Sequence, residues 1–148
     1  MSSLASPTPS TDPSSPVLPV LPVLVFDGDC AFCSTSARVL TGRLRRSPDD
    51  FAVEPWQHLD LAALGLTPEA CLDALQWVDA SGQVSAGHRA VGKALLASRW
   101  WVRPAGAVLL APGVGLVAAP AYRWVSRNRH RLPGGTPACG LPAPPPAA

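Results

Sequence analysis

The apolar positions near the start of the chain follow two rhythms. Val23-Leu24-Val25-Phe26 is an unbroken apolar run that stops at Asp27-Gly28-Asp29, the pattern of a buried strand entering a turn. From Cys33 the period lengthens: Cys33, Ala37, Leu40 and Leu44 recur at helical spacing and mark one helix face. Arg38, Arg43, Arg45 and Arg46 lie mostly off that face, and three of them suit the negative end of the helix dipole. Asp27 or Asp29 is placed to accept from the first-turn amides as an N-cap. Residues 51–54 read as a second strand, parallel to the first if the helix between them is a crossover, and Pro55 ends it. A short helical stretch is expected over 59–64, and Thr67-Pro68-Glu69 opens another helix with Thr as N-cap and Pro at N1. Residues 75–78 and 83–85 flank Asp79-Ala80-Ser81-Gly82 and read as a β-hairpin with Gly82 in the left-handed position. A helix then runs from Gly87 to about Trp101.

This order, β-α-β-(α)-β-β-α, predicts an α/β fold: a thioredoxin-like mixed sheet flanked by helices, with a C-terminal helical extension. Composition sets its limits. Of 18 prolines, six lie in residues 1–22 and six in residues 133–148. Those flanks carry one charge, Asp12, so residues 23–132 hold 21 of the 22 charged residues. Pro/Ser- and Pro/Ala-rich stretches lack the apolar side chains that offset backbone ordering. Disordered tails are therefore expected at 1–22 and 133–148, around one domain at 23–132 that is long enough to bury a core. A two-domain enzyme, a repeat array and a coiled coil are excluded. A net charge of +2 gives no global argument for nucleic acid.

Residues 1–22 have neither a basic start nor a continuous apolar stretch, so they do not read as a secretory signal, and a cytoplasmic location is expected. Paired thiols there are usually catalytic, redox-sensing or metal-binding. Residues 104–122 carry no charge and are long enough to span a bilayer, but Pro104, Pro112, Pro120 and three glycines interrupt them. A buried helix–turn–helix is the preferred expectation, and membrane contact is left open without being favoured.

The informative chemistry is Cys30-Ala31-Phe32-Cys33 at the strand-to-helix junction. The thiolate is the nucleophile, and a helix N-terminus lowers a thiol pKa through its unpaired amides and dipole. Cys30, facing solvent, would attack a disulfide; Cys33, one turn inward, would resolve the mixed disulfide. Asp27 and Asp29 oppose the dipole by raising a neighbouring thiol pKa. Asp27, at the strand end, could instead take the proton from Cys33 as a general base. Asp29 and Phe32 are the candidate substrate contacts. No metal and no cofactor are expected, because Cys71, Cys139, His58, His88 and His130 stand alone and form no second ligand pair. Asp27-Gly28-Asp29 also looks like the Asp-x-Asp nucleophile motif of haloacid-dehalogenase-type phosphatases. Ala31 stands where that motif has Thr or Val, and Lys93 is the only lysine. Four Arg between Arg123 and Arg131 read as a solvated last helix, since no aromatic platform for nucleic acid accompanies them.

Val25-Phe26-Asp27-Gly28-Asp29-Cys30-Ala31-Phe32-Cys33 resembles the signature of the DCC family of predicted thiol-disulfide oxidoreductases. The likeness continues through Pro55-Trp56-Gln57, the hairpin ending at Gly87, and Tyr122 to Arg129. It implies a thioredoxin-like fold and dithiol chemistry at Cys30 and Cys33. The partners it implies are a disulfide-bearing protein or small thiol substrate and an external dithiol reductant. The competing expectation is a non-enzymatic redox sensor or adaptor on the same scaffold. One departure stands out: thioredoxins place a cis-proline just before the third strand, facing the cysteines, and residues 70–75 contain no proline.

Overall fold

The computed structural model describes residues 21–132; the two Pro-rich tails expected beyond them lie outside the described residues. The first apolar run forms β1 (Val23–Phe26), and the helix after it is α1 (Ala31–Val39), prolonged by one wide π-type turn over Leu40–Leu44. β2 (Ala52–Pro55) starts one residue later than the sequence pattern suggests and includes Pro55. That proline is tolerated because β2 is an edge strand, where a missing N–H leaves no ladder partner unpaired. The helical stretch expected over 59–64 is instead a 3₁₀ turn at Trp56–His58 followed by turns closed by Leu61 and Ala62 carbonyls. α2 (Pro68–Asp73) begins as expected, with the Thr67 hydroxyl accepting from the Ala70 N–H at 3.2 Å. β3 (Gln76–Val78) and β4 (Val84–Ala86) form the hairpin, with Gly82 at φ +84°.

α3 (His88–Leu96) stops short of Trp101. The buried Ser98 hydroxyl donates to the Ala94 carbonyl, and the Arg99 N–H leaves the helix for the Leu44 carbonyl. Pro104, in the first turn, opens a separate helix, α4 (Arg103–Leu110), and α5 (Gly115–Asn128) follows.

The sheet order is β2-β1-β3-β4, with β1 and β2 parallel and the other pairs antiparallel. This mixed sheet with five flanking helices is a thioredoxin-like α/β fold. Strand alternation divides the core between two faces. Val23, Val25 and Val78 pack with Leu66 and Cys71 on one side, and Leu24 and Trp77 pack with Phe51, Ala90 and Ala94 on the other. The rings of Phe51 and Trp77 lie 5.3 Å apart, tilted by 56°. Residues 104–122 are a helix–turn–helix, as expected, but not a buried one. α5 has no buried residue, and Gly106 is the buried one in α4. No single helix among the described residues is long and apolar enough to cross a membrane; α4 and α5 pass that test only as a pair bent by 107°.

Candidate functional site: a cysteine pair at the β1–α1 junction

The turn after β1 is built around one side chain, Gln57. Its Oε1 accepts from the Gly28 N–H at 3.1 Å, and its Nε2 donates to Asp27 Oδ1 and to Asp29 Oδ2, each at 3.1 Å. Asp27 Oδ1 also accepts from the Asp29 N–H. The two aspartates therefore brace the turn through Gln57, and neither caps α1: Cys30 is the N-cap residue and makes no side-chain cap bond. Gly28 is required by close approach, because a Cβ there would sit 2.8 Å from the Pro55 Cβ. Asp27 is buried, while Asp29 is exposed.

The two cysteines differ from the expectation in their exposure. Cys30 is fully buried and Cys33 half-buried, so Cys30 is not the solvent-facing sulfur. Cys30 is disulfide-bonded, and Cys33 is a free thiol, so the two sulfurs of the motif are not joined to each other. Cys71, the other free thiol among the described residues, is buried in the apolar cluster beneath the sheet, as a small core residue.

Around Cys33 the fold assembles groups from both ends of the chain. Arg129 Nη1 donates to Cys33 Sγ at 3.5 Å, while its Nη2 donates to the Leu72 carbonyl at 2.7 Å. Burial pushes the Cys33 thiol above its ordinary pKa; the Arg129 guanidinium pulls it down and the Asp27 carboxylate pushes it up, and burial prevails. Tyr122 is held in the same cluster. Its hydroxyl accepts from the Leu75 N–H at 2.9 Å, and burial raises its pKa as well. Gly87, at φ +63°, lets the Tyr122 ring lie against it: a Cβ would meet the ring at 3.3 Å.

The segment before β3 is where a thioredoxin presents its cis-proline. Among the described residues no peptide bond is cis. Its backbone groups are instead taken from within: Leu75 N–H by Tyr122, Leu72 carbonyl by Arg129, and the Ala70 and Ala74 carbonyls by Gln76 Nε2. An extended substrate chain finds those groups already bonded. Beside Cys33 lies a cavity of about 390 Å³, mostly apolar, lined by Phe32, Leu40 and Leu95 among others, with Tyr122 and Arg129 as polar members. The helix face marked by Cys33, Ala37, Leu40 and Leu44 lines this cavity.

Of the residues singled out in the sequence, the Asp27 carboxylate acts on Cys33, Phe32 faces the cavity, and Asp29 belongs to the Gln57 brace. Gln57, Tyr122 and Arg129 carried no assigned role in the sequence. The signal was their presence in the two outlying stretches that share the DCC resemblance. Among the described residues no three His, Cys, Asp or Glu side chains gather as a metal site.

A Cys-x-x-Cys pair at the first strand-to-helix junction of this sheet defines a thioredoxin-like thiol protein. The DCC1-like thiol-disulfide oxidoreductase family matches residues 24–135, and the chain belongs to that family. No curated protein and no solved structure matches it significantly.

Proposed function

We propose that the protein catalyses thiol–disulfide exchange, with Cys30 as the attacking sulfur and Cys33 as the resolving one. Once an external dithiol has reduced the disulfide that holds Cys30, the Cys30 thiolate attacks a substrate disulfide, forms a mixed disulfide and releases one substrate thiol, which takes a proton. Cys33 then gives its proton to Asp27 and attacks the Cys30 sulfur. The second substrate thiol leaves, and a Cys30–Cys33 disulfide forms. An external dithiol returns two electrons and two protons to restore the pair. The observation that carries this reading is the setting of Cys33: a free, half-buried thiol between a carboxylate that can take its proton and a guanidinium that stabilises its anion.

The filled hydrogen bonds of residues 70–75 and the apolar cavity favour a substrate recognised by an apolar group rather than by strand pairing. Asp29 lies away from that cavity, so Phe32 is the stronger substrate contact of the two.

The test is covalent capture. Cys33→Ser should accumulate a mixed disulfide with a substrate such as an aromatic disulfide reagent, and Cys30→Ser should not. Turnover with dithiothreitol as reductant should be lost in both. Unchanged turnover in Cys30→Ser would dispose of dithiol exchange and leave the scaffold as a sensor or adaptor.

A further inference from the structure

Charge is divided sharply along this chain. Residues 1–79 contain all ten Asp and Glu and only four Arg, whereas residues 80–148 contain eight Lys and Arg and no acidic residue. The acid-free half builds α3, α4 and α5, and it also exposes large apolar side chains. Trp100 is 80% exposed, Leu116 83%, Val117 73% and Trp124 60%.

Helical spacing places these groups with respect to the thiol site. On α5, Leu116, Val117, Pro120, Arg123, Trp124 and Arg127 share one face, all of them exposed. Tyr122, Val125 and Arg129 share the opposite face and line the cavity beside Cys33. The outer face runs from apolar at its N-terminal end to aromatic and basic at its C-terminal end, and α5 carries no acidic residue.

We propose that this outer face of α5 is a docking surface for an anionic lipid bilayer. Aliphatic side chains enter the acyl boundary, tryptophan settles at the headgroup level, and arginines meet lipid phosphates. The arrangement does not suit the other candidates for an apolar, basic surface. A second copy would bring two acid-free faces together, and like charges oppose that pairing. A nucleic acid offers nothing to bury Leu116 and Val117. The protein would lie on the membrane rather than cross it, because the two helices that jointly have the apolar length bend by 107°. Docking this way puts the helix that leads into Arg129 between the lipid surface and Cys33.

Co-sedimentation of the full chain with vesicles tests this independently of any thiol chemistry. Phosphatidylcholine vesicles containing phosphatidylglycerol should bind the protein, with a blue shift of tryptophan fluorescence, and added salt should weaken the binding. Arg123→Gln and Arg127→Gln should each reduce the partition coefficient roughly fivefold, the equivalent of about 1 kcal/mol per cation. Leu116→Gln with Val117→Gln should reduce it further. Arg43→Gln, exposed in the acidic half, should leave it unchanged. Equal binding to pure phosphatidylcholine, or no binding to either vesicle, would overturn the proposal. So would concentration-dependent dimerisation in solution that Leu116→Gln abolishes.

Discussion

Cys33 sits under three opposed influences, and their signs make it a sharp probe. Burial and the Asp27 carboxylate disfavour its anion, and Arg129 favours it. With the pKa above the ordinary thiol value, the thiolate fraction at neutral pH is small and grows as pH rises toward that value. Alkylation of Cys33 by iodoacetamide, read by mass spectrometry of its own peptide, should therefore accelerate with pH and inflect above an ordinary thiol. Arg129→Gln removes the stabilising cation and should move the inflection higher. Asp27→Asn removes a repelling charge and should move it lower. If Asp27 is the base, the same Asp27→Asn should nonetheless slow release of a trapped mixed disulfide, although its Cys33 is the more acidic. Alkylation profiles identical in wild type and Arg129→Gln would break the link between Arg129 and the thiol. None of this was legible in the sequence beyond the two cysteines and Asp27. Arg129 is 96 residues from Cys33, and only the packing of α5 brings it within 3.5 Å.

At the scale of elements, close packing of α4 on α3 rests on two glycines. A Cβ on Gly106 would lie 2.6 Å from the Gly92 carbonyl oxygen and 2.8 Å from the Leu96 backbone N, and backbone cannot swing aside as a side chain can. Gly106→Ala gains about 1 kcal/mol of helix propensity but must push the helices apart. Such overpacking costs about 1–3 kcal/mol, so a net loss is expected in urea unfolding. Gly42→Ala, with nothing within 4 Å, should be neutral or stabilising. A Gly106→Ala protein as stable as wild type would mean that α4 is not seated as described. Elements with a local signature were the ones readable beforehand. β1 had its apolar run, α2 its Thr67-Pro68 start, and the hairpin its Gly82 turn. The end of α3 was not readable, because the Arg99 N–H leaves the helix for the Leu44 carbonyl, a hydrogen bond that depends on tertiary position. The stripe on α1 had the correct period, yet periodicity does not tell a face that fills a core from one that lines a cavity.

Across the whole molecule, α5 is the element that joins the C-terminal half to the thiol site. It makes this junction with three polar side chains, all directed at the segment before β3. The Tyr122 hydroxyl accepts from the Leu75 N–H, the Ser126 hydroxyl donates to the Asp73 carbonyl, and Arg129 donates to the Leu72 carbonyl. The segment is thereby held against Cys33 with no cis peptide bond among the described residues. Tyr122→Phe isolates the effect. The ring can keep its place against Gly87, but the part-buried Leu75 N–H loses its acceptor. An orphaned buried donor costs about 1–3 kcal/mol. For a domain of this size that should lower the melting temperature by about 4 °C or more. Weaker seating of α5 also withdraws Arg129 from Cys33. The alkylation inflection of Cys33 in Tyr122→Phe should therefore rise in the direction expected for Arg129→Gln, though by less. A lower melting temperature with an unmoved inflection would show that Arg129 holds its place without Tyr122, and that stability and thiol chemistry are separate duties of α5.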